Sequence, residues 1–249
     1  MKENWKPYLC RVNDKLASVL IDLALRGVAP VLSKPWLLWT WVYFQSPRPD
    51  GLSDGGEAPR LFEIEDALTP RISSSCGAIL SGRITTQGRR EFYYYGETGE
   101  GFEEAVSAAL AGFKGYRYDL GQQRDEAWDQ YLTVLYPSPE DLQRILNRDL
   151  LDVLVGKGDI LTVPREVRHW IYFSSDAARA LCLQEAAKAG FKISSPELPA
   201  KGDLPFGASV SRTQSVEQNV IDTTVIELLQ LTQRFDGEYD GWETPIVTR

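Results

Sequence analysis

Histidine is almost missing from this chain: His169 stands alone among 249 residues. A Ser-His-Asp or Cys-His centre would have to use it, and no G-x-S-x-G elbow accompanies it. A zinc site needs several His and Cys at ligand spacing. Cys10, Cys76 and Cys182 are only three, widely separated and without a CxxC pair. They read as reduced thiols of a cytoplasmic protein and not as a disulfide framework. Positive charge is also short, with 27 Lys and Arg against 35 Asp and Glu, net −8. The balance is 15 against 18 before Ser138 and 12 against 17 from there on. Phosphate binding needs clustered Lys and Arg, so no direct nucleic-acid contact is expected. An acidic surface favours basic protein partners, or simply solubility. Long apolar runs are absent too. Trp36 to Phe44 is too short to span a bilayer and is broken by Thr40. Asp14, Lys15 and Asp22 interrupt any signal-like start, so no membrane association is expected.

What the chain does have is core material: 43% hydrophobic residues and seven tryptophans. Its length exceeds that of most single domains and suggests one or two. Trp5 to Arg11 and Ser18 to Leu25 read as strands around an Asn13-Asp14 turn. Trp36 to Gln45 is the strongest strand, rich in aromatic and branched residues. Arg60 to Thr69 carries Leu61, Ile64 and Leu68 on one helical face, and Gly101 to Phe113 keeps the same period. Gly77 to Thr85 and Arg90 to Gly96 form a hairpin around Gln87-Gly88. Tyr116 to Leu120 and Trp128 to Tyr136 read as closing strands. Ser138-Pro139-Glu140-Asp141 starts a helix, with a cap, a proline in the first turn and acids at the positive dipole end. The second half then repeats the order. Val167 to Phe173 is a strand, Ser175 caps a helix to Ala189, and Phe191 to Ser195 and Phe206 to Arg212 are strands. Strand, helix, hairpin, helix, strand is the split βαβ order. The expected fold is α+β: two tandem ferredoxin-like (βαββαβ) sandwiches, with antiparallel sheets and helices packed on one face. The expected domains are 1–137 and 138–249.

The most informative stretch closes the chain. Ser215 with Gln218 suggests a capping box. Ile221, Val225, Leu228, Thr232 and Phe235 follow at helical spacing. Gly237 is the expected left-handed cap, and Tyr239-Asp240-Gly241-Trp242-Glu243 is a short extended piece. This RFDGEYDGWET ending resembles the regulator of ribonuclease E activity B family, most specifically in its YDGW word. Pro164, Arg165, His169, Trp170, Tyr172 and Phe173 resemble that family's opening strand. The likeness covers roughly residues 139–248. The earlier part is similar to the bacterial domain of unknown function 695 in Trp5–Arg11, Trp39–Phe44 and the Asp119, Trp128, Leu135-Tyr136-Pro137 ending. For the second domain the resemblance implies a protein that binds an endoribonuclease and restrains it by contact, with no cofactor. Two departures from the enterobacterial form are expected: no long acidic tail after YDGW, and a whole first domain before the resembling part.

Other candidate chemistry is weaker. His169, mid-strand, reads as a hydrogen-bonded or partly exposed structural residue. Asp236, Glu238, Asp240 and Gly241 look like the start of a calcium loop, but the closing acid would fall at Val247. The run from Gly96 to Gly101 has no Walker lysine, and Glu97 and Glu100 would repel an anion. Glu103-Glu104 and Glu63-Glu65 do not converge on a helix. Trp36, Trp39, Trp41 and Tyr93 to Tyr95 suit base stacking but lack a basic rim, which favours core packing.

No nucleophile, base and orienter stand together, so catalytic and metal residues are expected to be none. Tyr239, Asp240, Gly241, Trp242 and Glu243 are the candidate partner-binding residues. Trp and Tyr are common interface anchors, and the partner expected is an endoribonuclease or another basic protein. An interaction or small-ligand scaffold without a ribonuclease role is the alternative. A cleft lined by Asp119, Glu126 or Tyr94 would raise an enzyme reading.

Overall fold

The computed structural model describes residues 2–248. They fold as two compact units, one running to Asp141 and the other starting at Leu142.

The first unit opens with a hairpin, β1 (Trp5–Val12) and β2 (Lys15–Asp22). Asn13 and Asp14 both take positive φ, 50° and 61°, the turn that matches strand twist. A short 3₁₀ turn, Leu23–Gly27, leads to β3 (Trp36–Tyr43). Then come α1 (Ala58–Cys76), β4 (Ile79–Thr86), β5 (Arg89–Gly96), α2 (Phe102–Leu110) and β6 (Tyr118–Arg124). All pairings are antiparallel, in the order β1-β2-β4-β5-β3-β6. From β3 onward the elements run β-α-β-β-α-β.

Helix α1 passes the expected end at Thr69 and continues through Pro70 to Cys76. Its buried stripe explains this. Leu61, Ile64 and Leu68 are followed at the same spacing by Ile72 and Cys76, and that packing outweighs the proline. With α2, the stripe covers Leu38, Val42, Phe92 and Tyr94 to form one core.

The expected strand from Trp128 to Tyr136 does not form. A single π-helical turn, Gln130–Leu135, lies there instead. Trp128, Tyr131 and Leu135, all fully buried, are three and four apart, a helical spacing that the aromatic composition obscured. Trp128 stacks on Tyr95, with ring centroids 4.0 Å apart. Tyr95 and Tyr94 are neighbours on a strand and point to opposite faces. The turn therefore covers the face away from α1 and α2, so helical structure is not confined to one side of this sheet. Asp125 holds the turn, accepting from Tyr95 Oη at 2.5 Å, Asp129 N at 2.8 Å and Gln130 N at 3.1 Å. Asp125→Ala should destabilise this unit by about 2–3 kcal/mol, since buried donors lose a charged acceptor. An unchanged denaturation midpoint would remove Asp125 from that role.

Helix α3 (Pro139–Gly156), with Ser138 Oγ accepting from Asp141 N at 3.1 Å, leads into the second unit. There β7 (Arg165–Phe173), α4 (Asp176–Lys188), β8 (Lys192–Leu198), β9 (Phe206–Gln214), α5 (Gln218–Gln233) and β10 (Gly237–Glu243) follow. The sheet is antiparallel in the order β10-β7-β9-β8, so β10 and β8 are its edges. Val167, Ile171, Phe173, Ala208 and Val210 pack against Ile221, Val225 and Leu228 of α5. Ser175 caps α4 as expected, accepting from Ala178 N.

Two expected caps shift. Glu217, not Ser215, is the cap position of α5, and the Ser215 hydroxyl donates to its carboxylate at 3.1 Å. The left-handed residue after α5 is Asp236, φ 52°, a conformation that Asp tolerates. Gly237 begins β10 and is required for another reason. A Cβ there would stand 2.3 Å from a ring carbon of Phe173.

Candidate functional site

The YDGWE word is the last five of the seven residues of β10. In a regular strand Tyr239 and Trp242, three apart, would face opposite ways. The pairing register shifts between Tyr239 and Gly241: Tyr239 lies opposite Ile171, Gly241 opposite Trp170 and Trp242 opposite His169. Asp240 is the extra residue of a β-bulge, and Gly241 takes φ 118°, which only glycine adopts easily. The bulge turns both aromatics to the core side and leaves Asp240 outside.

Each aromatic is then tied down by its polar atom. The Tyr239 hydroxyl is 2.8 Å from His169 Nδ1. His169 is wholly buried, so the expectation of a bonded residue holds and that of a partly exposed one does not. Among the described residues its Nε2 has no hydrogen-bond partner. Burial first, then the nearby Arg212 charge, lowers the imidazole pKa to about 3. Burial first, then Asp240, raises the Tyr239 phenol well above its ordinary value. Both groups are neutral at physiological pH, which makes the pair a hydrogen-bonded lock. Trp242 Nε1 donates to Asn147 Oδ1 at 2.8 Å, and Asn147 Nδ2 donates to Asp222 Oδ1 at 2.8 Å. Asn147 went unnoticed in the sequence. Its signal is a polar residue in line with Leu151 and Leu154 on the buried stripe of α3.

The other side of β10 is acidic and solvent-facing. Glu238, Asp240 and Glu243 are exposed. Lys201, from the β8–β9 loop, bonds Glu238 at 2.7 Å and also Asp240. Those bonds, Asp240's first, raise the lysine pKa. Arg168 stands 3.8 Å from Glu243. Outward-facing Trp170 and Tyr172 of β7 lie beside these acids, with Lys201 Nζ 5.7 Å from the Tyr172 ring centroid. A groove of about 370 Å³ between α3 and β10 is lined by Leu146, Asn147, Leu150 and Tyr239 to Trp242. Leu146 is itself exposed. The five candidate residues thus divide into two buried anchors and a solvent-facing edge.

The remaining candidates do not assemble. Tyr94 is buried beneath α1, on the face opposite Asp119, whose carboxylate accepts from Tyr43 Oη at 2.6 Å. Glu126 is exposed and paired with Arg124. The turn from Gly96 to Gly101 is closed by Thr98 Oγ1 accepting from Glu100 N. Of the aromatic set, Tyr94 and Tyr95 are core, whereas Trp36, Trp39 and Trp41 stay partly exposed. Among the described residues no helix is long and apolar enough to cross a membrane.

Comparison with known proteins follows the same two units. A family model described as regulator of ribonuclease activity B matches residues 144–244, and one described as the family of unknown function DUF695 matches residues 3–136. The regulators of ribonuclease activity B of Escherichia coli (strain K12) and Shigella flexneri are each 30% identical over 113 residues, 43% of this chain and 80% of the relative. A crystal structure of an unknown protein from Galdieria sulphuraria covers 86% of this chain and 99% of its own at 12% identity, with a TM-score of 0.21, too low to compare folds. The chain belongs to the family of unknown function DUF695 through its first unit and to the regulator of ribonuclease activity B family through its second.

Proposed function

We propose that this chain is a non-catalytic regulator that binds an endoribonuclease and restrains it by protein–protein contact. The observation that carries this reading is the match of the second unit to proteins named regulators of ribonuclease activity B, over 80% of their length. We place the regulatory module at 138–249 and the accessory module at 1–137. Family matches that end at 136 and begin at 144 support that division. We also read each module as ferredoxin-like, because β4-β5-β3-β6 and β10-β7-β9-β8 are both the antiparallel orders that this fold requires.

The partner site is the edge of β10. Tyr239 and Trp242 set the strand, Gly241 makes the bulge, and Asp240 and Glu243 meet the partner. Solvent-exposed Asp240 and Glu243, beside a groove lined in part by Leu146 and Leu150, suit a basic surface, because complementary charge steers and registers a complex. The test is a binding and cleavage assay with the host's purified endoribonuclease. The native chain is compared with an Asp240→Asn/Glu243→Gln variant, which leaves the buried anchors alone. Inhibition by the native chain, weakened about 10-fold or more in the variant, is expected, since close charge pairs at interfaces carry that much coupling. Equal inhibition by both proteins would move the site off β10. No inhibition and no complex would end the ribonuclease reading.

A further inference from the structure

We propose that the first unit carries a binding site for a neutral planar heterocycle, of the class of a free purine base or its nucleoside. The site is on the sheet face away from α1 and α2. The turn at Gln130–Leu135 covers only part of that face. Between it and edge strand β6 a groove of about 220 Å³ remains, lined by Leu37, Trp39, Trp41, Tyr93, Gln123 and Gln130. Leu37, Trp39 and Trp41 share this face because they alternate with Leu38, Thr40 and Val42, of which Leu38 and Val42 belong to the core beneath the helices. Tyr93 sits directly opposite Trp39, and Gln123 opposite Leu37. Gly121 lies opposite Trp39, beneath its ring. A Cβ there would stand 2.2 Å from a Trp39 ring carbon, so the indole lies down on bare backbone.

The charges around this groove satisfy one another. Arg89 lies over the Trp41 ring, 4.2 Å from its centroid, and pairs with Glu91 at 2.6 Å. Glu91 also accepts from Tyr93 Oη at 2.5 Å, and Asp119 accepts from Tyr43 Oη. With Arg89 already on Trp41, the partly exposed Trp39 ring is the aromatic surface left for a ligand, and two carboxamides line the groove, one from β6 and one from the turn. A carboxamide offers a donor and an acceptor side by side, the pattern that matches the adenine edge. Aromatic side chains accept a stacked base whatever its sequence context. A free saccharide would need partners for several hydroxyls, and the nearby carboxylates are engaged, whereas the ribose of a nucleoside can stay in solvent while its base stacks. A phosphate would need a cation, and the lining has none. The size suits one ring system and not a polymer.

The test uses the full chain, titrated calorimetrically with adenine, adenosine, adenosine monophosphate and, as a saccharide control, maltose. Adenosine should bind saturably with Kd at or below about 1 mM, the weak end of specific ligand binding. The monophosphate should bind more weakly, because no cation receives its charge. Gln123→Ala and Gln130→Ala should each weaken adenosine about 10-fold, one lost bidentate contact. Both side chains stand on the rim, so a far-UV spectrum unchanged from the native chain is expected, and a variant that fails this check is replaced by Gln→Glu at the same position. Absence of saturable binding by adenine and adenosine would overturn the proposal. So would tighter binding of the monophosphate or of maltose, or affinity untouched by both rim variants.

Discussion

Trp242→Ala is expected to destabilise the second unit by about 3–5 kcal/mol, the usual cost of removing a buried tryptophan. Trp242 is 9% exposed, and its indole N–H is donated to Asn147. Truncation leaves a cavity beside α3 and an unpaired carbonyl in the Asn147–Asp222 link. Set against a domain's total of about 5–15 kcal/mol, that loss would leave the unit partly unfolded at moderate temperature. Trp242→Phe should cost about 1–2 kcal/mol, because it keeps most of the packing and loses only the hydrogen bond. Scanning calorimetry, which separates two transitions when two units melt independently, would show the second moving and the first fixed. A second transition that stays in place in Trp242→Ala would refute the anchoring role. The result also bears on partner assays. Loss of binding in Trp242→Ala would report unfolding, and the surface carboxylates Asp240 and Glu243 are the better probes.

A second large effect is expected on acidification. The His169 imidazole, ordinarily near 6.5, is held at about 3 by burial and by the Arg212 charge. Between those values the unfolded chain binds one proton more than the folded one. Stability is therefore complete above pH 6.5 and declines as pH falls, by about 1.4 kcal/mol per unit, to a loss on the order of 4 kcal/mol near pH 3. His169→Gln, which keeps a polar group for Tyr239, should abolish this component while leaving that of the carboxylates. Unfolding free energies at pH 7 and pH 5 should differ by about 2 kcal/mol more in the native chain than in the variant. Parallel pH profiles for the two proteins would contradict the burial argument.

Much of this architecture was legible in the residues. The aromatic and branched residues of β3, the three-four spacing in α2 and α5 and the Asn13-Asp14 and Gln87-Gly88 turns each act through local preference. So does the Ser175 cap. The errors fell where local preference met long-range packing. Pro70 reads as a stop, yet Ile72 and Cys76 have a core to enter, and α1 continues. Trp128 to Tyr136 reads as a strand by composition, yet Asp125 and Tyr95, distant or ambiguous in the sequence, fold it as a turn.

The candidate site divides along the same line. The sequence by itself determined the word YDGWE, its place at the end of the chain, the acidic balance and the shortage of histidine and cysteine. These depend only on which residues are present and in what order. Only the tertiary structure decided which of those five side chains meet solvent. A one-residue bulge, visible only in the pairing of β10 with β7, sends Tyr239 and Trp242 to the same side. Asn147 and His169, 95 and 70 residues away from their aromatic partners, then hold them there. A strand's period is two, so a single inserted residue reverses every side chain beyond it. That reversal is set by the neighbouring strand, not by the word itself.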